Sequence, residues 1–120
     1  MAVKIKTKYG IVDISNDVIS SVVGSATTDN YGVVGMASKK QLRDNVNSIL
    51  GKDNYSKGVV VKQENNGISV EVNIIVSYGT KISEVCRNVQ SKVKYNLETM
   101  LGITANAVNV VVQGVQVLND

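Results

Sequence analysis

The chain has 120 residues and a net charge of +3, and it contains no Pro, Trp, Phe or His. Its length fits one domain, residues 1–120, with a sizeable core that valine and isoleucine must largely fill, which favours a substantial sheet. The missing histidine removes the commonest general base, a single cysteine excludes a disulfide framework or a thiolate zinc cluster, and the charge is small for a nucleic-acid binder.

Composition also bears on location. One cysteine is easiest to reconcile with a reducing cytoplasm, and no signal peptide is recognisable before the first predicted strand. No apolar run approaches the roughly 20 residues that span a bilayer. We therefore expect a cytoplasmic protein without direct membrane insertion, which would reach a membrane peripherally and through a partner.

The chain begins with a predicted hairpin. Residues 3–7 alternate apolar and basic side chains, and residues 11–14 form the return strand. A tight turn at residues 9–10, a Tyr-Gly pair, would set Ile5 opposite Ile14, although Tyr-Gly is a weaker signal than Asn-Gly and a longer loop is possible.

A helix follows, with Ser15 as its N-cap and its end near Thr28. Apolar residues at helical spacing form its buried stripe: Val18, Ile19, Val22, Val23 and Ala26. Residues 31–37 (YGVVGMA) fit either a strand or a tight buried connector.

A second helix is predicted to begin at Ser38, which forms a capping box with Gln41, and to end at Gly51. Residues 52–57 then read as a polar loop. Residues 59–64 are predicted to be a strand, and an Asn66-Gly67 turn would pair Val61 with Val72 in the next strand.

The central strand and helix dominate the pattern. One strand face carries a run of alternating β-branched residues: Ile68, Val70, Val72, Ile74 and Val76. The helix, residues 81–101, has Thr80 as its predicted N-cap, Val89 at the centre of its buried stripe and Gly102 as its C′ residue.

Residues 107–118 form the last predicted strand, whose apolar phase flips at Gly114, as a β-bulge would cause. The strand–helix–strand order allows a parallel pairing through a right-handed crossover. We therefore predict an α+β fold, a two-layer domain with a mixed β-sheet, about three helices and the long central amphipathic helix 81–101.

Three patterns that can carry chemistry are better explained by structure. The GxxG pattern at residues 32–35 occurs in KH domains, which bind RNA, but its middle pair is apolar and favours burial. The SxxK pattern at residues 91–94 lacks the companion motifs of serine acyl-enzymes. Cys86 lies in the apolar helix stripe without a histidine to activate it. We predict no catalytic, cofactor-binding or metal-binding residues.

A possible interaction surface lies on the second face of the sheet. Apolar residues stand there among polar ones: Ile11, Val60, Ile75 and Val111. If all helices pack on the first face, these residues form an apolar patch of the kind that binds a partner. The alternative is that one helix, with residues 16–28 as the first choice, covers this face and that the patch belongs to the core.

Four segments together resemble the alkaline shock protein family of envelope stress response proteins, and in particular its short housekeeping members in Gram-positive bacteria: KTKYGIVDISNDVI, DNYGVVGMASKKQL, NIIVSYGTKISEVCRNVQSKVK and AVNVVVQGVQV. The resemblance implies a small cytoplasmic α+β protein. Some relatives associate with themselves, and with the membrane through a small anchoring partner. No catalytic residues are known for the family.

From this resemblance we expect a non-enzymatic scaffold or adaptor in cell-envelope homeostasis or stress response. Its expected partners are a second copy of itself and an envelope-associated protein. The alternative from another class is a KH-like RNA-binding module, with RNA the less favoured partner.

Overall fold

The structure is a computed structural model that describes residues 2–38, 49–65 and 67–117. The described residues form an α+β fold with two α-helices, six strands and a short 3₁₀ helix. In chain order these are β1 (Ala2–Thr7), β2 (Gly10–Ser15), α1 (Asn16–Thr28), β3 (Val33–Met36), the 3₁₀ helix (Lys52–Lys57), β4 (Val59–Glu64), β5 (Gly67–Ser77), α2 (Ile82–Met100) and β6 (Ala105–Gln116).

The segment between β3 and β4 differs from prediction where it can be compared. The predicted helix after Ser38 lies mostly outside the described residues, as does its capping partner Gln41. Its predicted last turn is not helical, because the amide of Leu50 donates to Met36 O at 2.8 Å in an isolated β-bridge. The predicted polar loop at residues 52–57 is the 3₁₀ helix.

Strand β5 is the centre of the four-stranded sheet. One of its edges pairs in parallel with β6 along its whole length, as the strand–helix–strand order predicted. Its other edge pairs antiparallel with β4 over the first half and with β3 over the last residues. Strands β1 and β2 form a separate two-stranded sheet.

The core lies between the first face of β5 and the two helices. The predicted alternating residues of β5 are all buried, and the helices bury Ile19 and Val23 of α1 and Val85, Val89 and Val93 of α2 in the same cluster. Val89 is fully buried, as predicted for the centre of the stripe. Burying side chains of this size removes about 1.5–3 kcal/mol of unfavourable hydration each.

The helix ends show which cap predictions hold. Ser15 caps α1 by accepting a hydrogen bond from the amide of Val18 at 3.3 Å, as predicted. Gly102 has φ +67 after α2, also as predicted. The prediction for Thr80 is wrong, because its hydroxyl donates to Ser77 O at 2.7 Å and Lys81 occupies the N-cap position.

Both predicted hairpin registers are wrong by two residues. Ile5 pairs with Val12 rather than Ile14, and Val61 pairs with Val70 rather than Val72. The glycine of each predicted turn, at position 10 and position 67, is instead the first residue of the return strand. The predicted turn residue at position 66 lies outside the described residues.

The predicted irregularity in β6 is confirmed. Ile74 of β5 pairs with Val112, but Ile75 pairs with Gly114, so one residue is inserted between these pairs. The insertion explains why the apolar phase of β6 flips at this point. It also gives Gln113 a position from which it reaches across to β5.

Candidate interaction surfaces

Two loops meet at one end of the four-stranded sheet. The amide of Ser77, at the end of β5, donates to Gly32 O in the loop before β3 at 2.9 Å. Gly32 has φ +92, and a Cβ atom there would lie 2.7 Å from Cγ2 of Val85. Glycine therefore allows both the turn and the close approach of this loop to α2.

Apolar side chains remain exposed around this junction. Tyr31 is 88% exposed and Tyr78 is 71% exposed. The amide of Tyr78 donates to Gln116 O at 2.9 Å, which holds Tyr78 beside the end of β6. We call this region the tyrosine end and define it by its exposed apolar residues: Tyr31, Tyr78, Ile82, Val115 and Val117.

Tyr31 borders two clefts. A cleft of about 340 Å³ is bordered by Tyr31, Thr80 and the first two turns of α2. A second cleft, of about 390 Å³, is bordered by Tyr31, Thr80 and the start of β3. An exposed aromatic ring beside concave surfaces, with charged residues such as Lys81 and Glu84 in the lining, is typical of protein-binding surfaces, where tyrosine is enriched.

The structure brings Val60, Ile75 and Val111 to the second face of the four-stranded sheet, as predicted, but separates Ile11 from them. Ile11 is exposed but belongs to the separate β1–β2 sheet, Val60 is half-buried, and Val111 is exposed on β6. Ile75 is only 1% exposed. The prediction that Ile75 lies in an exposed patch is therefore wrong.

The residues around Ile75 account for its burial. Gly35 pairs directly with Ile75, and a Cβ atom on Gly35 would lie 2.4 Å from Cγ2 of Ile49. Opposed residues share a face of the sheet, so Ile49 lies on the second face beside Ile75. Ile75 is therefore interior, as the alternative held, but α1 does not cover it, because α1 packs against the first face, with Ile19 in the main core.

Asn73, next to Ile75, is buried within a hydrogen-bonded network. Its side-chain amide donates to Gly58 O at 3.1 Å, and its Oδ1 accepts from Nε2 of Gln113 at 2.7 Å. Its backbone bonds both neighbouring segments, donating to Gly58 O and accepting from Ala37 N. This part of the second face is thus an internal joint between β3 and β4.

Groups with potential chemistry are in structural roles. Cys86 is half-buried, and burial raises the pKa of its thiol, which disfavours the reactive thiolate. Lys94, of the SxxK pattern, pairs with Glu98 at 3.3 Å on an exposed face of α2. Within the described ranges, no group of three or more acidic, cysteine or histidine side chains is placed to hold a metal ion.

The GxxG pattern does not have the geometry of a KH loop. It connects α1 to a strand, and Gly35 itself lies in β3. A KH motif requires a loop between two helices, with its backbone free to contact nucleic acid. The KH-like interpretation is therefore not supported.

Sequence reasoning missed the tyrosine end, although a signal for it was present. Tyr-Gly pairs occur at residues 9–10, 31–32 and 78–79, and each of these glycines has positive φ. All three tyrosines are strongly exposed. A glycine that turns the chain places the preceding residue at a loop tip, and an aromatic residue there is a candidate contact.

Comparison with known proteins supplies the family. A model of the alkaline shock protein 23 family, described as having a cell envelope-related function, matches residues 4–117. The chain is 55% identical to the uncharacterized protein Spy1614 of Streptococcus pyogenes over 100% of this chain and 99% of that protein.

Two Bacillus subtilis proteins are also similar. The uncharacterized protein YloU is 54% identical, with 99% of each chain covered. The uncharacterized protein YqhY is 31% identical, over 92% of this chain and 80% of its own. No solved structure matches. None of the helices in the described residues is long and apolar enough to cross a membrane.

Proposed function

The chain belongs to the alkaline shock protein 23 family, of cell envelope-related function, and on that premise we propose that it is a non-enzymatic adaptor in cell-envelope homeostasis or stress response. It binds an envelope-associated protein through the tyrosine end. It remains in the cytoplasm and reaches the membrane peripherally, through that partner. A second copy of the chain is a further partner.

The exposed tyrosine end carries this proposal. Tyr31 and Tyr78 expose most of their surface although backbone hydrogen bonds hold their loops, so their exposure comes from a defined backbone geometry. Tyrosine supplies a large contact area at low conformational-entropy cost, and its hydroxyl can still form hydrogen bonds. These are the properties of residues that contribute most to binding at protein interfaces.

The polar interior supports a role without catalysis. The side-chain amide of Asn73 is used to join strands, and Gln90 donates from α2 to Val108 O at 2.9 Å. Burial raises the pKa of the Cys86 thiol, which disfavours its reactive thiolate form. Each of these groups serves the fold, and none is paired with a general base in the described part of the chain.

The test compares two variants with matched chemistry. Tyr31→Ser/Tyr78→Ser removes both rings of the tyrosine end, whereas Tyr95→Ser removes an exposed ring from the middle of α2. Each protein is introduced, at the native level, into cells that lack the wild-type chain. Proteins bound to it are then quantified from the cytoplasmic and membrane fractions.

We expect the double variant to lose an envelope-associated protein that the wild type and Tyr95→Ser both retain, with unchanged melting temperature. Equal recovery of that protein by the wild type and both variants would contradict the proposal.

A further inference from the structure

The β1–β2 hairpin projects from the fold. At its base Val3 is 5% exposed and belongs to the core, and at its turn Tyr9 is 89% exposed. Between them, Ile5 and Ile14 are half-buried, whereas Ile11 and Val12 are exposed. Exposure therefore increases along the hairpin, so that its base is anchored and its tip is free.

The hairpin is basic. Lys4 and Lys6 of β1 are exposed, and Lys8 is exposed in the turn that follows. Lys6 pairs with Ile11, and Lys4 pairs with Asp13, so these four side chains share a face. The hairpin thus carries three lysines against one aspartate, within a chain whose total net charge is +3.

The tip adds apolar residues to this basic face. Tyr9 stands at the turn with Nζ of Lys8 5.2 Å from its ring centroid, and Ile11 follows on the return strand, opposite Lys6. None of the described contacts explains why an isoleucine and a valine are exposed at this tip. Basic residues behind an apolar and aromatic tip match the interface of an anionic bilayer, where lysines bind phosphates and tyrosine lies at headgroup depth.

We propose that the tip of the β1–β2 hairpin docks on a membrane surface rich in anionic lipids. The lysines contact headgroup phosphates, and Tyr9, Ile11 and Val12 enter the boundary between headgroups and acyl chains. This contact is separate from the tyrosine end and does not depend on the protein partner proposed above. It gives a chain of an envelope-related family a lipid contact of its own.

A bilayer is favoured over a nucleic acid because of the aliphatic residues. A polyanion such as RNA would engage the lysines and stack on Tyr9, but it would gain little from Ile11 and Val12. A bilayer interface gains from both the charges and the apolar tip. The two occupants can thus be separated by substituting the two kinds of residue independently.

The experiment measures co-sedimentation of the full chain with vesicles. One set contains equal parts of phosphatidylglycerol and phosphatidylcholine, and the other contains phosphatidylcholine alone. The variants are Lys6→Glu/Lys8→Glu, Tyr9→Ser/Ile11→Ser and the control Arg87→Glu/Lys94→Glu, which makes the same charge change on the exposed face of α2. Melting curves confirm folding, which substitutions at the exposed tip should preserve.

We expect the wild type and the α2 control to bind the anionic vesicles, and salt to weaken that binding. Each surface lysine contributes about fivefold to partitioning, so Lys6→Glu/Lys8→Glu should lower it more than tenfold. Tyr9→Ser/Ile11→Ser should also lower it. Tyr31→Ser/Tyr78→Ser should bind like the wild type, which separates this contact from the proposed function.

Four results would overturn the proposal. One is a wild type that binds anionic vesicles no better than neutral ones. Another is an α2 control that loses as much as the lysine variant, since binding would then follow net charge. The third is a tip variant that retains full binding. The fourth is a single-stranded RNA oligonucleotide that binds the hairpin while the vesicles do not.

Discussion

Gly24 of α1 lies directly against the ring of Tyr55 in the 3₁₀ helix. A Cβ atom on Gly24 would be only 2.1 Å from Cδ2 of that ring. Tyr55 is the one buried tyrosine of the five in the chain. Gly24 weakens α1 because glycine has a low helix propensity. Its missing side chain, however, leaves space for the Tyr55 ring, which attaches the segment before β4 to the core.

Gly24→Ala should therefore destabilise the protein. Displacing the ring costs about 1–3 kcal/mol, and the better helix propensity of alanine offsets roughly 1 kcal/mol of that. We expect a net loss of about 1 kcal/mol, read from urea unfolding. Gly51→Ala is the control, because Gly51 has φ −77 and no atom within 4 Å of an added Cβ, so it should change little. A Gly24→Ala protein as stable as the wild type would contradict the packing.

The elements themselves could be predicted, but the pairing registers could not. Alternation and helical spacing identify faces, and a shift of two residues leaves every face unchanged, so both hairpins satisfied the pattern in either register. The register depends on whether the glycine of each hairpin lies in the turn or begins the return strand. At Gly67 that depends on the carbonyl of Thr104, which is distant in sequence and close in space.

Gly67→Ala tests this contact. A Cβ atom at position 67 would lie 2.2 Å from Thr104 O, a backbone atom that also accepts the amide of Ile68 at 2.9 Å. We expect a loss of about 2–3 kcal/mol, because the atom contacted belongs to the backbone and cannot move away cheaply. Gly10→Ala occupies the corresponding position of the first hairpin, also with positive φ, but meets no atom within 4 Å. Similar losses in both variants would mean that glycine is required for its backbone conformation rather than to avoid a clash with Thr104.

The Asn73–Gln113 pair should be energetically coupled. Asn73→Ala removes a buried side chain that joins Gly58 O to Gln113, and it leaves Nε2 of Gln113 without this acceptor. We expect Asn73→Ala to cost about 2–3 kcal/mol, and Gln113→Ala less. In a double-mutant cycle the coupling energy should be about 0.5–1.5 kcal/mol. A coupling near zero would show that the 2.7 Å contact does not contribute to stability.

Cys86 provides a prediction about pH. Burial raises the pKa of its thiol, so the folded state holds this proton more tightly than the unfolded state. Its contribution to stability is complete below the ordinary thiol pKa and is lost as the pH rises through the folded-state pKa. Cys86→Ala should reduce the alkaline loss of stability relative to the wild type, and the proposed absence of catalysis predicts unchanged function in cells. A folded Cys86→Ala protein that fails in cells would favour an enzymatic role.

The exposure of the predicted patch around Ile75 was less predictable than the fold. Alternation places Ile75 on the second face, but it contains no information about which segment covers that face. Ile49, which lies beside it, is separated from β3 by a stretch with its own helical pattern, and nothing in that pattern indicates that residue 49 returns to the sheet. Val111, on the neighbouring strand and the same face, remains exposed.

Ile75→Lys and Val111→Lys form the matched pair that tests this difference. Ile75→Lys places an ammonium group where the side chain is 1% exposed, and we expect a loss of more than about 3 kcal/mol, or failure to fold. Val111→Lys introduces the same group on the same face of the sheet, where solvent can reach it, so its cost should be within about 0.5 kcal/mol. Thermal melting of both variants, with light scattering at matched concentration, provides the measurement. If Ile75→Lys melts like the wild type, the covering of the second face is loose enough to open. In that case the sheet face itself, rather than the tyrosine end, becomes the surface to test for partner binding.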